Sequence, residues 1–513
     1  MTTQIALKSA VLRGVEAVPV TVEVSLIQSL PGISIVGMAD TAIQEAKERV
    51  RTAIKSSGFT MPNKKIVVNL APSDIKKTGT GFDLPIALGI LAATGQIDLN
   101  FIEGRLFVGE LSLSGEVRRV PGTLAYGICA HKMGLDFCSN GQEPVPIDTL
   151  THYKIESLSS TISSADLPRV EAGKTKGQKK NKDVPDFADV AGHDFAKRAA
   201  QIAVAGNHGI LMVGPPGSGK TMLASRMVTI LPPLDTDEML EAALAHSVAG
   251  ADIEPILNGI RPFRHPHHSA TMAGLIGGGT PLHPGEVTLA HCGALFLDEL
   301  SEFRVQTLQA LREPMETGNV CLTRAEGNVV FPAKFMLIAA SNPCPCGYLG
   351  DDEKECTCTV PQIKRYQGKI GGPLIDRIDI QIDVKRLSPS KVLESGSGTD
   401  SSTLRDGVMR AREFVSYRTK KQNSKKNLMT GDVKNNFSSR MTTKQIVESC
   451  DLATDTHNFV IEMAQINHLS GRALVNTLRV ARTIADLGEP MNVNTNHVAE
   501  ALGFRIREGI GGS

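Results

Sequence analysis

The sequence predicts an α/β fold: a parallel-sheet core, with an α+β domain before it and a helical domain after it. Three observations carry that reading. Apolar, strand-like runs alternate with helical stretches from residue 187 to residue 385. Within that stretch, Ile210-Leu211-Met212-Val213 leads straight into a glycine-rich turn and a helix start. Beyond residue 386 the strand pattern stops and helical periodicity takes over, most strongly in Ala473–Leu487.

Taken in order, residues 1–168 read as a mixed domain, with strands such as Ile66-Val67-Val68-Asn69-Leu70 and helices such as Thr41–Ser56. Residues 169–186 read as a basic linker: Gly173 to Asp183 is polar, free of apolar residues and carries five lysines. A solvated tether is the first reading of those lysines, and contact with nucleic acid is the alternative. The core, 187–385, opens on the helix Ala196–Ala205 and ends with the alternating strand Ile378–Val384. Residues 386–513 form the C-terminal helical domain, broken by the Ser/Gly loop Ser395–Ser402.

Composition excludes several classes of protein. With 55 Lys+Arg against 54 Asp+Glu, global charge selects no partner, so any nucleic-acid surface must be local. Tryptophan is absent and aromatics make up 4%, which argues against broad base-stacking platforms. No run is long and apolar enough to span a membrane. The start Met1-Thr2-Thr3-Gln4 lacks a basic segment before an apolar one, so no secretory signal is expected and the chain reads as cytoplasmic. Nine cysteines without a signal suggest a reducing compartment, where clustering points to metal before disulfide.

The turn Gly214-Pro215-Pro216-Gly217-Ser218-Gly219-Lys220-Thr221 has the chemistry of a nucleoside triphosphate site. Its glycines let backbone N–H groups turn inward on phosphate oxygens. Lys220 supplies a positive charge for the β- and γ-phosphates, and the Thr221 hydroxyl can ligate Mg²⁺. Ala294-Leu295-Phe296-Leu297-Asp298-Glu299 is a buried strand ending in two acids. Asp298 would hold Mg²⁺, and Glu299 would polarise the attacking water. The strand Phe335–Ala340 ends at Ser341-Asn342, where Asn342 can orient that water or sense the γ-phosphate; a turn asparagine is the alternative. Arg377, set between acids in Pro373-Leu374-Ile375-Asp376-Arg377-Ile378-Asp379, could face a neighbouring subunit's γ-phosphate. An intramolecular salt bridge is the alternative. Arg472, opening the helix Ala473–Leu487, could reach the γ-phosphate from a lid. Spacing leaves Arg479 and Arg482 on the same helix open for that role.

Order and spacing together resemble an AAA+ ATPase with a P-loop core, and most closely the ComM/YifB family of the Mg-chelatase-like branch. The matching stretches are Arg264-His265-Pro266-His267-His268-Ser269, Gly285-Glu286-Val287-Thr288-Leu289-Ala290-His291, Ser341-Asn342-Pro343-Cys344-Pro345-Cys346-Gly347 and Leu478–Leu487. The resemblance covers nearly the whole chain. It implies ATP and Mg²⁺ as ligands, the roles above for Lys220, Thr221, Asp298, Glu299, Asn342, Arg377 and Arg472, and a homo-hexameric ring. It also implies helicase and branch-migration work on single-stranded or branched DNA during natural transformation.

Two segments interrupt the core. One runs from Phe263 to Glu286 and the other is an expected hairpin, Val320–Phe331, turning near Arg324-Ala325-Glu326-Gly327. Related helicases are similar in placing two such hairpins in a central pore, and Arg324 is then a candidate DNA contact; an exposed surface hairpin is the alternative. His265, His267 and His268 lack a neighbouring acid or cysteine in sequence, which favours a structural or inter-subunit role over metal.

Cys344 and Cys346 form one close pair and Cys356 and Cys358 another, with nine residues between. Four thiolates in two pairs suit a structural tetrahedral Zn²⁺; four reduced thiols or a redox-sensitive disulfide are the alternatives. The scattered Cys129, Cys138, Cys292, Cys321 and Cys450 read as core or incidental thiols.

Residues Ala71–Leu84 and Phe107–Leu124 resemble the Lon protease domain. Its catalytic serine falls at Gly81 and its lysine at Leu124 or a neighbour, none of them lysine, so no peptidase activity is expected. A binding or assembly module is the expected role, with Lys76 and Lys77 as possible DNA contacts; a solvated lysine pair is the first reading. A second reading, a chelatase-type remodelling ATPase acting through partner subunits, is disfavoured because that motor resembles only the central and C-terminal parts. A Lon-like protease is a third, opposed by the missing dyad.

Overall fold

The structure is a computed structural model that describes residues 4–141, 145–161, 167–170, 185–279, 282–324, 327–388, 390, 398–425 and 441–505. The five linker lysines and the start of the Ser395–Ser402 loop lie outside these residues.

The N-terminal part is built on a seven-stranded mixed sheet. Strands Gln4–Arg13 and Glu16–Ile27 form a hairpin, and Lys65–Ala71 extends it antiparallel. Alternation dictates the buried face: Val20, Val22, Val24 and Leu26 point inward and Thr21, Glu23 and Ser25 do not. The helix Thr41–Ser56 starts because the Asp40 carboxylate caps Ile43 N–H at 2.9 Å. It buries Ile43, Ala46, Val50, Ala53 and Ile54 on one stripe. The helix Asp83–Ala93 has no polar face at all and is buried throughout. Its one charge, Asp83, is held bidentately by Arg49 at 2.7 and 3.0 Å.

The core sheet has five parallel strands in the order Phe263–Arg264, Ala294–Leu297, Met336–Ser341, Ile210–Val213 and Ile380–Asp383. Every residue of the three central strands is buried, as continuous apolar runs require when helices cover both faces. Ile210, Met212, Phe296, Ile338 and Ala340 pack on one side, against the helices Asp194–Gly206 and Lys220–Ile230 and the C-terminal helices. Leu211, Val213, Leu295, Leu297, Leu337 and Ala339 pack on the other side. Each such fully buried Leu or Ile contributes about 1.5–3 kcal/mol.

Helices Ser401–Lys425, Thr443–Cys450, Thr454–Ile466, Gly471–Gly488 and Thr495–Gly503 complete the described chain. They are tied down by buried charge. Asp486 accepts two bonds from Arg418, at 2.9 and 3.1 Å, and lies 3.0 Å from Arg482. His208, just ahead of the strand Ile210–Val213, bridges Asp379 at 2.9 Å and Thr483 at 2.8 Å, joining the sheet to the helix Gly471–Gly488. The N-terminal part docks on the core through Leu106, Val108, Leu124 and Phe137, which share an apolar cluster with Leu234, Ala242, Ala243 and Ile253. No helix among the described residues is long and apolar enough to cross a membrane.

Two sequence expectations in the N-terminal part meet a correction or a detail. Lys77 is fully buried and its ammonium bonds to the Pro72 carbonyl, so it is neither solvated nor presented to DNA. At Gly81 a Cβ would sit 3.1 Å from Val108 and 4.0 Å from the Tyr126 hydroxyl, and Leu124 is buried. Apolar and phenolic groups thus surround the position expected for a nucleophile.

Candidate nucleotide site

The turn after Ile210–Val213 folds as its glycines require. Gly217 and Gly219 take φ of +76° and +86°, and a Cβ on Gly214 would lie 2.1 Å from the Val384 carbonyl oxygen. The helix Lys220–Ile230 starts at the end of the turn, so its unpaired N–H groups face the loop. Lys220 is buried, and Nζ donates to the carbonyls of Gly214 at 2.7 Å and Pro215 at 2.9 Å and to Asn342 Oδ1 at 3.3 Å. Burial pushes its ammonium below the usual lysine range, with Asp298 and Glu299 pulling the other way. Ser218 Oγ is buried with no hydrogen-bond partner among the described residues. Thr221 Oγ1 donates to Asp298 Oδ2 at 2.7 Å. The donor set fits a triphosphate with Mg²⁺: a cation and free N–H groups for phosphate, and a hydroxyl beside a carboxylate for a hard metal. Sequence-expected Lys220, Thr221, Asp298 and Asn342 therefore meet in space.

Glu299 follows Asp298 in a left-handed conformation, φ 50° and ψ 48°, which a non-glycine residue adopts at a cost. Its N–H donates to Asp298 Oδ1 at 2.9 Å, and the turn presents its carboxylate outward. His268 Nδ1 lies 3.2 Å from Glu299 Oε2, a contact the sequence did not reveal. The segment carrying it is anchored by Arg264, bonded twice to Glu286 at 2.6 and 2.9 Å, and by the His265 ring, tilted against Phe296 at 4.5 Å. His267 lies tilted against His268 and bonds Ser269. Among the described residues, the clusters able to hold a metal do not include these three histidines.

Arg377 and Arg472 do not join the phosphate-loop group. Both pair with Glu316, at 2.6 and 2.7 Å. Arg377 also donates to the Pro373 carbonyl at 2.6 Å. The Arg472 guanidinium, with Arg377 beside it, holds the Glu316 carboxyl below its usual range. Arg472, expected to reach the γ-phosphate from a lid, instead shares one acid, Glu316, with Arg377. Arg482 is fully buried and donates to the carbonyls of Ser449, Met491 and Pro490, and Arg479 donates to Asn476 and Met441. Those partners hold both guanidiniums among the C-terminal helices.

The expected hairpin forms from Asn319–Arg324 and Gly327–Pro332. Its turn residues 325 and 326 and the Arg324 side chain lie outside the described part. Near its base it touches the N-terminal sheet: a Cβ on Gly14 would meet the Val330 carbonyl oxygen at 2.9 Å.

The four clustered cysteines converge. Cys344, Cys346 and Cys356 place their sulfurs 3.4 to 3.6 Å apart, and the Cys346 N–H points at Cys358 Sγ at 3.4 Å. The backbone N–H of Tyr348 holds the Cys346 thiol down to about 5, while burial pushes that of Cys344 up.

A family model described as magnesium chelatase, subunit ChlI, matches residues 186–392. One described as subunit ChlI of Mg-chelatase matches residues 22–138, and one described as magnesium chelatase, subunit ChlI C-terminal, matches residues 398–505. The match over 22–138 corrects the expectation that the chelatase motor resembles only the central and C-terminal parts. The chain is 37% identical over 498 residues to YifB of Salmonella typhimurium, covering 96% of this chain and 95% of that protein. It is 38% identical over 510 residues to the competence protein ComM of Haemophilus influenzae, with the same shares. Similarity to the magnesium-chelatase 67 kDa subunit of Chlorobaculum tepidum is 27% over 168 residues, 31% of this chain and 23% of that protein. The chain therefore belongs to the ComM/YifB family of magnesium-chelatase-like proteins.

Proposed function

We propose that this protein is an ATP-driven DNA motor: a hexameric ring that unwinds DNA and migrates branches while incoming strands recombine during natural transformation. The observation that carries the ATPase part is the meeting of Lys220, Thr221, Asp298 and Asn342 around one glycine-rich turn. The DNA part rests on the family membership shared with a competence protein. In this reading the ammonium of Lys220 exchanges its loop carbonyls for phosphate oxygens, and Thr221 and Asp298 hold Mg²⁺. When bound, that ion neutralises charge on the β- and γ-phosphates. Glu299 orients and deprotonates water, and Asn342 senses the γ-phosphate. Arg377 and Arg472 leave Glu316 for the triphosphate of the next protomer. The C-terminal helices act as the lid, Arg324 touches the DNA backbone, and residues 1–168 form a Lon-like module without peptidase chemistry. The four cysteines hold a structural Zn²⁺, and the protein works in the cytoplasm.

A second reading, a chelatase-type ATPase that remodels protein partners, is favoured by the three ChlI matches. ATP turnover of the purified protein with forked or single-stranded DNA separates the two. Strong stimulation together with branch migration, both absent in Lys220→Ala, supports the motor; indifference to every DNA form rejects it.

A further inference from the structure

The cysteine cluster sits directly on the nucleotide turn. Gly347, one residue past Cys346, has φ +86°, and a Cβ there would lie 2.7 Å from Pro216 Cδ and 2.9 Å from Cγ. No other residue type lets the cysteine loop approach Pro216 so closely. Arg386 then bridges the two loops. Its Nη2 donates to the Pro216 carbonyl at 3.1 Å, its Nη1 reaches Glu353 at 3.2 Å, and Asp351 lies 3.5 Å away. The guanidinium also lies beside the Tyr348 ring, which Lys354 covers from 4.1 Å. Asp351, Glu353, Tyr348 and Lys354 all fall inside the segment that Cys344–Cys346 and Cys356–Cys358 close off. On the same stretch of chain, Asn342 accepts from Lys220.

We propose that the loop Cys344–Cys358 is a metal-dependent brace of the nucleotide turn, in which a soft tetrahedral cation on four thiolates fixes Gly347 and the Arg386 partners against Pro216. The inference rests on the reading of residues 214–221 as the ATP site and of the cysteines as a Zn²⁺ site. The geometry suits the ion: four sulfurs around one Zn²⁺ at ~2.3 Å stand about 3.8 Å apart, close to the separations seen here. One sulfur is buried, and two backbone N–H groups, of Cys346 and Cys358, already point at cysteine sulfurs, which stabilises thiolates. The four ligands come from the protein and leave no open position, so the ion acts through folding of its loop. Without the cross-link, closing the segment costs chain entropy, and the Arg386 bridge loses its fixed partners. Metal loading then sets how tightly the turn holds ATP.

The test uses the full chain. Zinc is quantified in the purified protein, and binding of a fluorescent ATP analogue is titrated as purified, after stripping with a thiol-reactive mercurial and chelator, and after Zn²⁺ or Mg²⁺ is returned. Expected are one zinc per chain, a Kd about tenfold weaker after stripping, as loss of one charge-assisted bond would give, and recovery with Zn²⁺ alone. Arg386→Gln, which leaves every sulfur in place, should keep its zinc yet weaken binding by a similar factor. Absence of tightly held zinc overturns the proposal. So does an unchanged Kd in stripped protein that is still folded by circular dichroism, while nucleotide binding remains sensitive to Lys220→Ala. If Lys220→Ala leaves binding unchanged, the ATP-site reading itself falls.

Discussion

Glu299 is held between two constraints that only the folded chain imposes. Its own backbone is left-handed, which turns the carboxylate away from the sheet, and His268 meets it at 3.2 Å. Asp298 and Glu299 were legible because a buried strand ending in two acids is a local pattern. His268 was not, because 30 residues, spanning the rest of the insert and a core strand, separate it from its partner and nothing in the intervening sequence sets the distance. Two outcomes follow at this scale. Glu299→Gln should bind ATP as tightly as the wild type and hydrolyse it about 10²–10⁴-fold more slowly, as loss of a general base predicts. Undiminished turnover would remove Glu299 as the base. His268→Ala should alter kcat with no change in nucleotide Kd, and His268→Gln, which keeps an N–H donor for the carboxylate, should restore most of the loss. A change in Kd alone, unrescued by glutamine, would make His268 a packing residue.

Elements with strong local signatures were read well: the helix Thr41–Ser56, the strands at 210–213 and 294–297 and the hairpin near 320–331 all form where periodicity and glycine placement put them. What joins one element to another was not readable. Glu316 gathers Arg377 and Arg472 from 61 and 156 residues away, and Lys77, polar in sequence, is buried. The helix Thr236–Val248 shows how such joints respond to pH. Its Glu241 lies 2.9 Å from His291 Nε2 and 3.5 Å from Lys334 Nζ. His291 Nδ1 accepts from the Lys334 N–H, so Nε2 carries the proton that faces the acid. That hydrogen bond, with the charge of Lys334, holds the Glu241 carboxyl down to about 2. A depressed carboxyl stabilises the fold above its unfolded value near 4.5 and loses that contribution as pH falls toward 2. Because Glu241 is half exposed, the effect at neutral pH is discounted to about 1 kcal/mol or less. Glu241→Gln should therefore melt about a degree lower than wild type at pH 7, and the two curves should converge between pH 4.5 and 2. A gap that persists at pH 2.5 would assign the loss to packing instead.

At the scale of the whole molecule, the chain divides its proposed chemistry between two places. Lys220, Thr221, Asp298 and Asn342 lie together, while Arg377 and Arg472 share Glu316 elsewhere. Two guanidiniums on one acid leave a net positive charge with geometry suited to phosphate oxygens. In the proposed ring of identical subunits, a head-to-tail interface would put one copy's arginine face against the next copy's phosphate turn. Mixing variants tests this directly. Lys220→Ala should be inactive because it cannot hold the triphosphate, and Arg377→Ala should be inactive because it cannot complete its neighbour's site. When the two are refolded or exchanged together in equal amounts, an Arg377→Ala subunit preceded by a Lys220→Ala subunit has an intact turn and receives an intact arginine. Random assembly makes about a quarter of interfaces of that kind, so turnover should return to roughly that fraction of wild type. A mixture that assembles, shown by light scattering, yet stays silent would place Arg377 within its own subunit's fold and leave the salt bridge to Glu316 as its whole role.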